Sequence, residues 1–234
     1  MKLEYRNGVR ISKLPHEMSL LEAGIMRYEE KAQEFYKKKN EHNAHLTKAE
    51  REAELAEARE HLNRERDHLK TLFVIQADLE AYRAEGRKAK TDRSVVNKLL
   101  AEEHHPTGLL EQNMRAEGEP KPSPTHTAHH IVPGEGLLPR VTARTRYHLH
   151  INGIRINDPA NGVYLISKDK YAPHWSMPLS RGHKKYHLHV YEEYLNNVIT
   201  TTDGEDFIKT KLQVIGRILQ ANEPKEAMGK IGAL

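Results

Sequence analysis

The sequence predicts an α+β protein, mostly helical, in which an N-terminal helical hairpin or bundle precedes a small segment of short strands and a helix. Two observations carry this. Up to about residue 104 the apolar residues recur at helical spacing, and beyond residue 125 that pattern gives way to short β-favouring runs separated by Gly, Pro and Asn. A third is compositional: nine of the sixteen histidines fall between His126 and His189.

In the first half, Leu21, Ile25, Tyr28, Ala32 and Phe35 form one apolar stripe, which predicts a helix over about residues 17–41. Thr47 followed by Glu50 is a capping-box signature and opens a second helix. Leu55, Leu62 and Leu69 recur on it every seven residues, joined by Leu72, Ile75, Leu79 and Tyr82, the seam of an antiparallel hairpin or short coiled coil. Gly86 is expected to close this helix. Asp92 is expected to cap a third that ends near His104, leaving His104 and His105 as a helix end beside Pro106. The charged faces here read as solvated surface, so the region is a scaffold or a docking element.

"RAEGEPKPSPTHT" has three prolines within five residues and no periodicity, and reads as an extended, mobile linker that takes in His126. The resulting organisation is a helical region 1–114, a linker 115–127, a second domain 128–222 and a flexible tail 223–234. Ile131 and Val132 favour a strand, and Val163 to Leu165 another. A helix carrying Arg140, Arg144 and Arg146 lies between them. A final amphipathic helix spans about Glu205 to Ala221, with Phe207, Ile208, Leu212, Ile215 and Leu219.

Composition narrows the chemistry. With 234 residues, 30% charged and a mean hydropathy of −0.79, no run reaches the roughly 18 apolar residues a membrane span needs, and the N-terminus lacks the apolar core of a secretory signal. There is no cysteine, which excludes disulfides and thiolate metal sites, so any metal must be held by nitrogen or oxygen donors. The net charge of +4 permits nucleic-acid binding without requiring it.

Three blocks combine. His129 and His130 end a predicted strand, where adjacent side chains point to opposite faces and take different tasks. Asn161 sits at an Asn-Gly turn. His183 and His187 are four apart on a helix expected to start at Ser180, a spacing that lets two imidazoles bind one ion; His189 points elsewhere on it. A His-His strand, an Asn turn and a His-bearing helix follow the order of a ββα metal finger.

On "AHHIVPGEG", "GIRINDPANGVYL" and "RGHKKYH", about residues 125–198, the chain resembles the Ala-His-His (AHH) branch of the HNH endonuclease superfamily. The resemblance implies a small ββα-metal nuclease domain holding one divalent metal ion (Mg, Mn, Zn or Ni) and cleaving phosphodiesters of DNA or RNA; of the two, DNA is the expected substrate. It implies His129 and His183 as metal ligands and His130 as the general base, oriented by Asn161. Members often carry another His just ahead of the position of His183, where this chain has "PLSRG"; the remaining ligand is then His187 or His174, with His187 preferred on helical geometry. Arg140, Arg144, Arg146, Arg181, Lys184 and Lys185 are the expected phosphate contacts.

The branch also resembles the C-terminal portions of bacterial secreted toxins. That implies an antibacterial effector, made in the cytoplasm, exported without a signal peptide and delivered to the cytoplasm of a target cell. Its partners would be an immunity protein and a secretion carrier or chaperone bound by the N-terminal helices. The competing readings are a housekeeping or phage-type HNH endonuclease, and a non-catalytic, metal-stabilised binding module on a helical adaptor.

Overall fold

A computed structural model describes residues 5–6, 9–10, 14, 17–40 and 46–223, and divides the chain into two compact units, 1–78 and 79–234. The predicted tail lies, apart from Glu223, outside the described residues. Among those residues no helix is long and apolar enough to cross a membrane.

In the first unit Tyr5–Arg6 (β1) pairs antiparallel with Val9–Arg10 (β2), a small sheet the apolar pattern does not signal. Leu20–Asn40 (α1) and the first part of Lys48–Lys88 (α2) form the expected antiparallel hairpin. Lys31 pairs with Glu65 at 2.8 Å, and Arg51 reaches the carbonyl of Lys39 at 2.9 Å, so rising positions on α1 meet falling positions on α2. The capping box forms as read: the Glu50 amide donates to Thr47 Oγ1 at 3.3 Å and the Thr47 amide to Glu50 Oε2 at 2.8 Å. Helix α2 runs through Gly86 to Lys88 rather than stopping at the glycine. A Cβ at Gly86 would press on the Gly153 carbonyl and the Arg155 side chain, so this glycine serves close packing and not termination.

The second unit contains the end of α2 and then Arg93–Leu100 (α3), Gly108–Glu117 (α4), His126–His130 (β3), Pro139–Ile151 (α5), Gly162–Ile166 (β4), His189–Thr200 (α6) and Glu205–Ala221 (α7). Asp92 caps α3 as expected, accepting from the Ser94 amide at 2.8 Å. The stretch read as a linker is largely structured. Arg115 to Glu117 are the last turn of α4, which Gly118 closes at φ 97°, and His126 and Thr127 already belong to β3. Between them, Lys121 pairs with Glu111 at 3.2 Å and Ser123 Oγ lies 2.9 Å from His126 Nδ1.

Strands β3 and β4 pair antiparallel with His126 opposite Ile166 and His130 opposite Gly162. Alternation gives the pair two apolar faces. Ala128 and Tyr164 pack with Leu110 and Met114 of α4, while Val163 and Leu165 join Leu195, Ile208, Leu212 and Ile215 of α6 and α7. A short sheet buried on both sides is thus a rigid mount for the histidines at its end.

Candidate active site

The register of β3 divides the two central histidines. His129 pairs with Val163, on the α6–α7 face, and His130 pairs with Gly162, on the α4 face. Adjacent strand residues point apart, so one backbone position serves two different environments. Both imidazoles are buried, yet both line a cleft of about 330 Å³ shared with His105, Glu135, His183 and His187. A roomier cleft of about 500 Å³ lies beside Arg83, Tyr164 and Arg217 and contains no histidine, so the concentration of chemistry marks the smaller one.

On the α4 face His130 is held by Asn157. Its Nε2 lies 2.9 Å from Asn157 Oδ1. The amide orientation is fixed from behind: Asn157 Nδ2 donates to Glu102 Oε1 and to the Glu103 carbonyl, each at 2.9 Å, and both are acceptors only. Oδ1 must therefore face the imidazole and accept from an Nε2–H, which leaves Nδ1 as the basic nitrogen. Burial pushes the His130 pKa down to about 4, against the smaller opposing effect of the Asn157 bond. The ring is neutral at physiological pH.

On the other face three imidazoles converge. The ring centroid of His129 lies 5.1 Å from that of His187 and 6.0 Å from that of His183, and the latter two are 6.1 Å apart. His183 Nδ1 donates to the Ser167 carbonyl at 2.9 Å, freeing Nε2 as a lone-pair donor. Neither ring nitrogen of His129 or His187 has a hydrogen-bond partner among the described residues. Burial, and then the neighbouring imidazoles, hold His129 well below the usual histidine range and lower His187; burial lowers His183 as well. Neutral imidazoles are what a divalent ion requires.

Among the described residues no group of three such side chains is closed tightly enough to hold an ion as placed. Around one ion with nitrogens about 2.0–2.1 Å away, tetrahedrally placed ring centroids are about 5 Å apart. The His129–His187 spacing meets this, and His183 would have to close by about 1 Å. The donor set fits; the spacing is that of an open site.

The strand carrying this arrangement reads Ala128-His129-His130. It is followed by β4 and, after a His-bearing turn, by α6, and the model of one family spans it. Residues 110–219 match the AHH family. AHH is a nuclease family of the HNH/ENDO VII superfamily with conserved AHH. No curated protein and no solved structure matches the chain. The AHH segment extends past the motif blocks at both ends, taking in most of α4 and nearly all of α7, the helices that sandwich the strand pair.

Several sequence expectations need correction within the AHH segment. His183 and His187 are not on an α-helix: His183–Tyr186 is a 3-10 turn, His187 follows it, and α6 begins at His189. Lys184 and Lys185 occupy that turn, and Asp169 Oδ1 accepts from the Gly182 amide at 2.8 Å, which anchors its start. The two rings still converge, because the turn folds them toward His129. Asn161 does not touch His130. Its Oδ1 accepts from the Val132 amide at 2.8 Å and its Nδ2 donates to the carbonyls of Val132 and Ile156, so it staples the loop after β3, and the residue bonded to His130 is Asn157.

Arg146 cannot contact phosphate. It is buried, and its guanidinium donates to the carbonyls of Gly134 at 2.7 Å and Leu100 at 2.9 Å. Arg140, Arg144, Arg181, Lys184 and Lys185 are exposed, and Lys185 lies 3.6 Å from Asp169. His174 stands apart from the convergent trio, its ring 4.6 Å from that of His126. His126 itself is buried strand, bonded to Ser123 and Ser176, and not linker.

The sequence reading missed two contributors. His105 lies 6.0 Å ring to ring from His130 and lines the cleft, with His104 4.8 Å away from it. Asn157 lies four residues ahead of the Asn-Gly turn, the stronger local signal. The Asn-Asp-Pro beginning at 157 is itself a turn signal, and Asp158 does cap the next 3-10 turn, accepting from the Ala160 amide at 2.9 Å.

Proposed function

We propose that the AHH segment is a divalent-metal-dependent endonuclease that acts on DNA in preference to RNA. The observation that carries this is the division of labour across β3: a neutral imidazole with its tautomer set on one face, and three convergent imidazoles on the other, opening to one cleft.

In this reading His130 Nδ1 accepts a proton from the attacking water, and Asn157 Oδ1 stabilises the imidazolium that results. A bound phosphodiester adds negative charge at the cleft, which favours that imidazolium and offsets the burial that lowers its pKa. His129, His183 and His187 would hold the metal ion, which when bound supplies Lewis-acid stabilisation of phosphate and leaving-oxygen charge. Asn161 keeps the loop after β3 in place, and the exposed Arg140, Arg144, Arg181, Lys184 and Lys185 supply sequence-blind phosphate contacts.

The deciding experiment is a digest of plasmid DNA and of total RNA with Mg, Mn, Zn or Ni, in parallel with a chelator. Cleavage of DNA that the chelator abolishes supports the proposal. If neither substrate is cut with any metal, the non-catalytic binding module takes its place.

The layout supports a narrower proposal. A helical unit ahead of the AHH segment resembles the arrangement of secreted bacterial toxins, with delivery or carrier binding in the first unit, an immunity protein as partner and the recipient's cytoplasm as the site of action. Expression that is toxic, and harmless once His130 is alanine, supports it. Harmless expression of active enzyme favours a housekeeping or phage-type nuclease.

A further inference from the structure

Behind His130 lies a layer of side chains contributed by residues that precede the family-matched segment. Tyr82 is on the last turns of α2, Glu102 follows α3, and the match begins only at residue 110. Glu102 is the hub. Its Oε1 accepts from Asn157 Nδ2 at 2.9 Å and from the Tyr82 hydroxyl at 2.6 Å, and its Oε2 accepts from Arg155 Nε at 2.8 Å. The Tyr82 hydroxyl in turn accepts from the Asn157 backbone N–H at 3.0 Å, and the Arg155 guanidinium lies over the Tyr82 ring, 3.8 Å from its centroid. Every polar group of the Asn157 side chain is thereby engaged: Nδ2 by Glu102 and the Glu103 carbonyl, Oδ1 by His130.

We infer that Glu102, braced by Tyr82 and Arg155, is a positioning residue that sets the tautomer of His130 through Asn157. The argument is one of allowed pairings. An Asn amide rotated end for end would aim Oδ1 at the Glu102 carboxylate and the Glu103 carbonyl, acceptor against acceptor, and would aim Nδ2–H at the imidazole. The imidazole would then have to present a lone pair at Nε2 and carry its proton on Nδ1, and the nitrogen assigned to proton abstraction would be blocked. A carboxylate at position 102 opposes that rotation. Arg155, donating to its other oxygen, fixes which way the carboxylate lies. The chain Tyr82–Glu102–Asn157–His130 does for the base what an outer carboxylate does for a metal-bound histidine. It also makes part of the second unit outside residues 110–219 a working part of the site.

This rests on His130 being the general base, so the test reads the tautomer separately from cleavage. Nitrogen-15 NMR of the full chain, without added metal, is expected to show His130 as the Nε2–H form. Glu102→Gln should rotate the Asn157 amide, because Arg155 claims the carbonyl of the new side chain and turns its NH₂ toward Asn157. His130 should then shift to the Nδ1–H form, and kcat should fall about 10–100-fold with KM for DNA unchanged. Glu102→Asp, which keeps the charge, should retain the wild-type tautomer. Tyr82→Phe, which keeps its ring under Arg155, should move the tautomer in the same direction by less. A wild-type His130 in the Nδ1–H form, or a Glu102→Gln protein that keeps the Nε2–H form whatever its kcat, overturns the inference. Absence of cleavage by the wild type overturns the nuclease reading instead and leaves the tautomer result standing.

Discussion

Glu192 on α6 accepts a hydrogen bond from the hydroxyl of Thr142 on α5 at 2.9 Å, and the same carboxylate receives the amides of Leu137 at 2.6 Å and Leu138 at 2.8 Å. Helix α5 has no side-chain cap of its own, so a residue some fifty positions away caps it. Gly136 permits the approach, since a Cβ there would collide with both Thr142 and Glu192. Glu192→Ala leaves one buried hydroxyl and two part-buried amides without their acceptor and is expected to cost about 2–3 kcal/mol in urea unfolding. An unfolding midpoint equal to wild type would refute the capping role.

The two faces of β3 should separate genetically. His183→Ala and His187→Ala are expected to weaken metal binding in calorimetry. His130→Ala should leave the metal affinity near wild type while lowering cleavage about 10²–10⁴-fold, the range for loss of a general base. Equal loss of metal in all three variants would contradict the division between ligands and base.

Basic residues should sort by exposure. Lys184→Ala and Arg144→Ala are expected to weaken DNA binding and flatten its salt dependence without a change in stability. Arg146→Met should do the reverse, costing about 2 kcal/mol by leaving buried carbonyls unpaired and barely altering DNA affinity. A DNA-binding defect in a fully stable Arg146→Met protein would restore it to the phosphate-contact set.

Acid sensitivity should track His150, which is fully buried; its Nδ1 donates to the Ile154 carbonyl at 2.9 Å while its Nε2 has no partner among the described residues. Burial lowers its pKa to about 4, so between that value and the unfolded value near 6.5 the unfolded chain binds more protons. Stability is therefore complete above pH 6.5 and falls as pH drops through this window, with His150 contributing about 3 kcal/mol of the loss. The other buried histidines act with the same sign, so the measured quantity is the difference in pH slope between wild type and His150→Leu. Parallel slopes would show that His150 is not responsible.

What could be read in the sequence followed from local rules. Thr47 with Glu50, Asp92 ahead of α3, and the apolar stripe of α7 each announce an element through neighbours in the chain, and each formed where expected. The opposed faces of His129 and His130 follow from strand period alone. The errors share another cause. Asn157, Glu102 and His105 reach the site through contacts across 25 to 55 positions, which no local pattern encodes. Arg146 looks like any helix-surface cation until the loop carrying Gly134 folds over it. The proline run read as a linker contains the residues that seat His126, because few backbone groups there can join a helix or a ladder and side-chain hydroxyls make the contacts instead.

The Tyr82–Glu102 bond has a practical consequence for recombination. A segment can be moved between fusion partners only at a seam that crosses none of its internal bonds. For this protein a splice at residue 110, where the family match begins, would sever Tyr82, Glu102 and His105 from the cleft they support. The boundary between the two units, Asp78 to Leu79 within α2, is a seam that spares them, so a fused partner would have to end in this protein's own last turns of that helix.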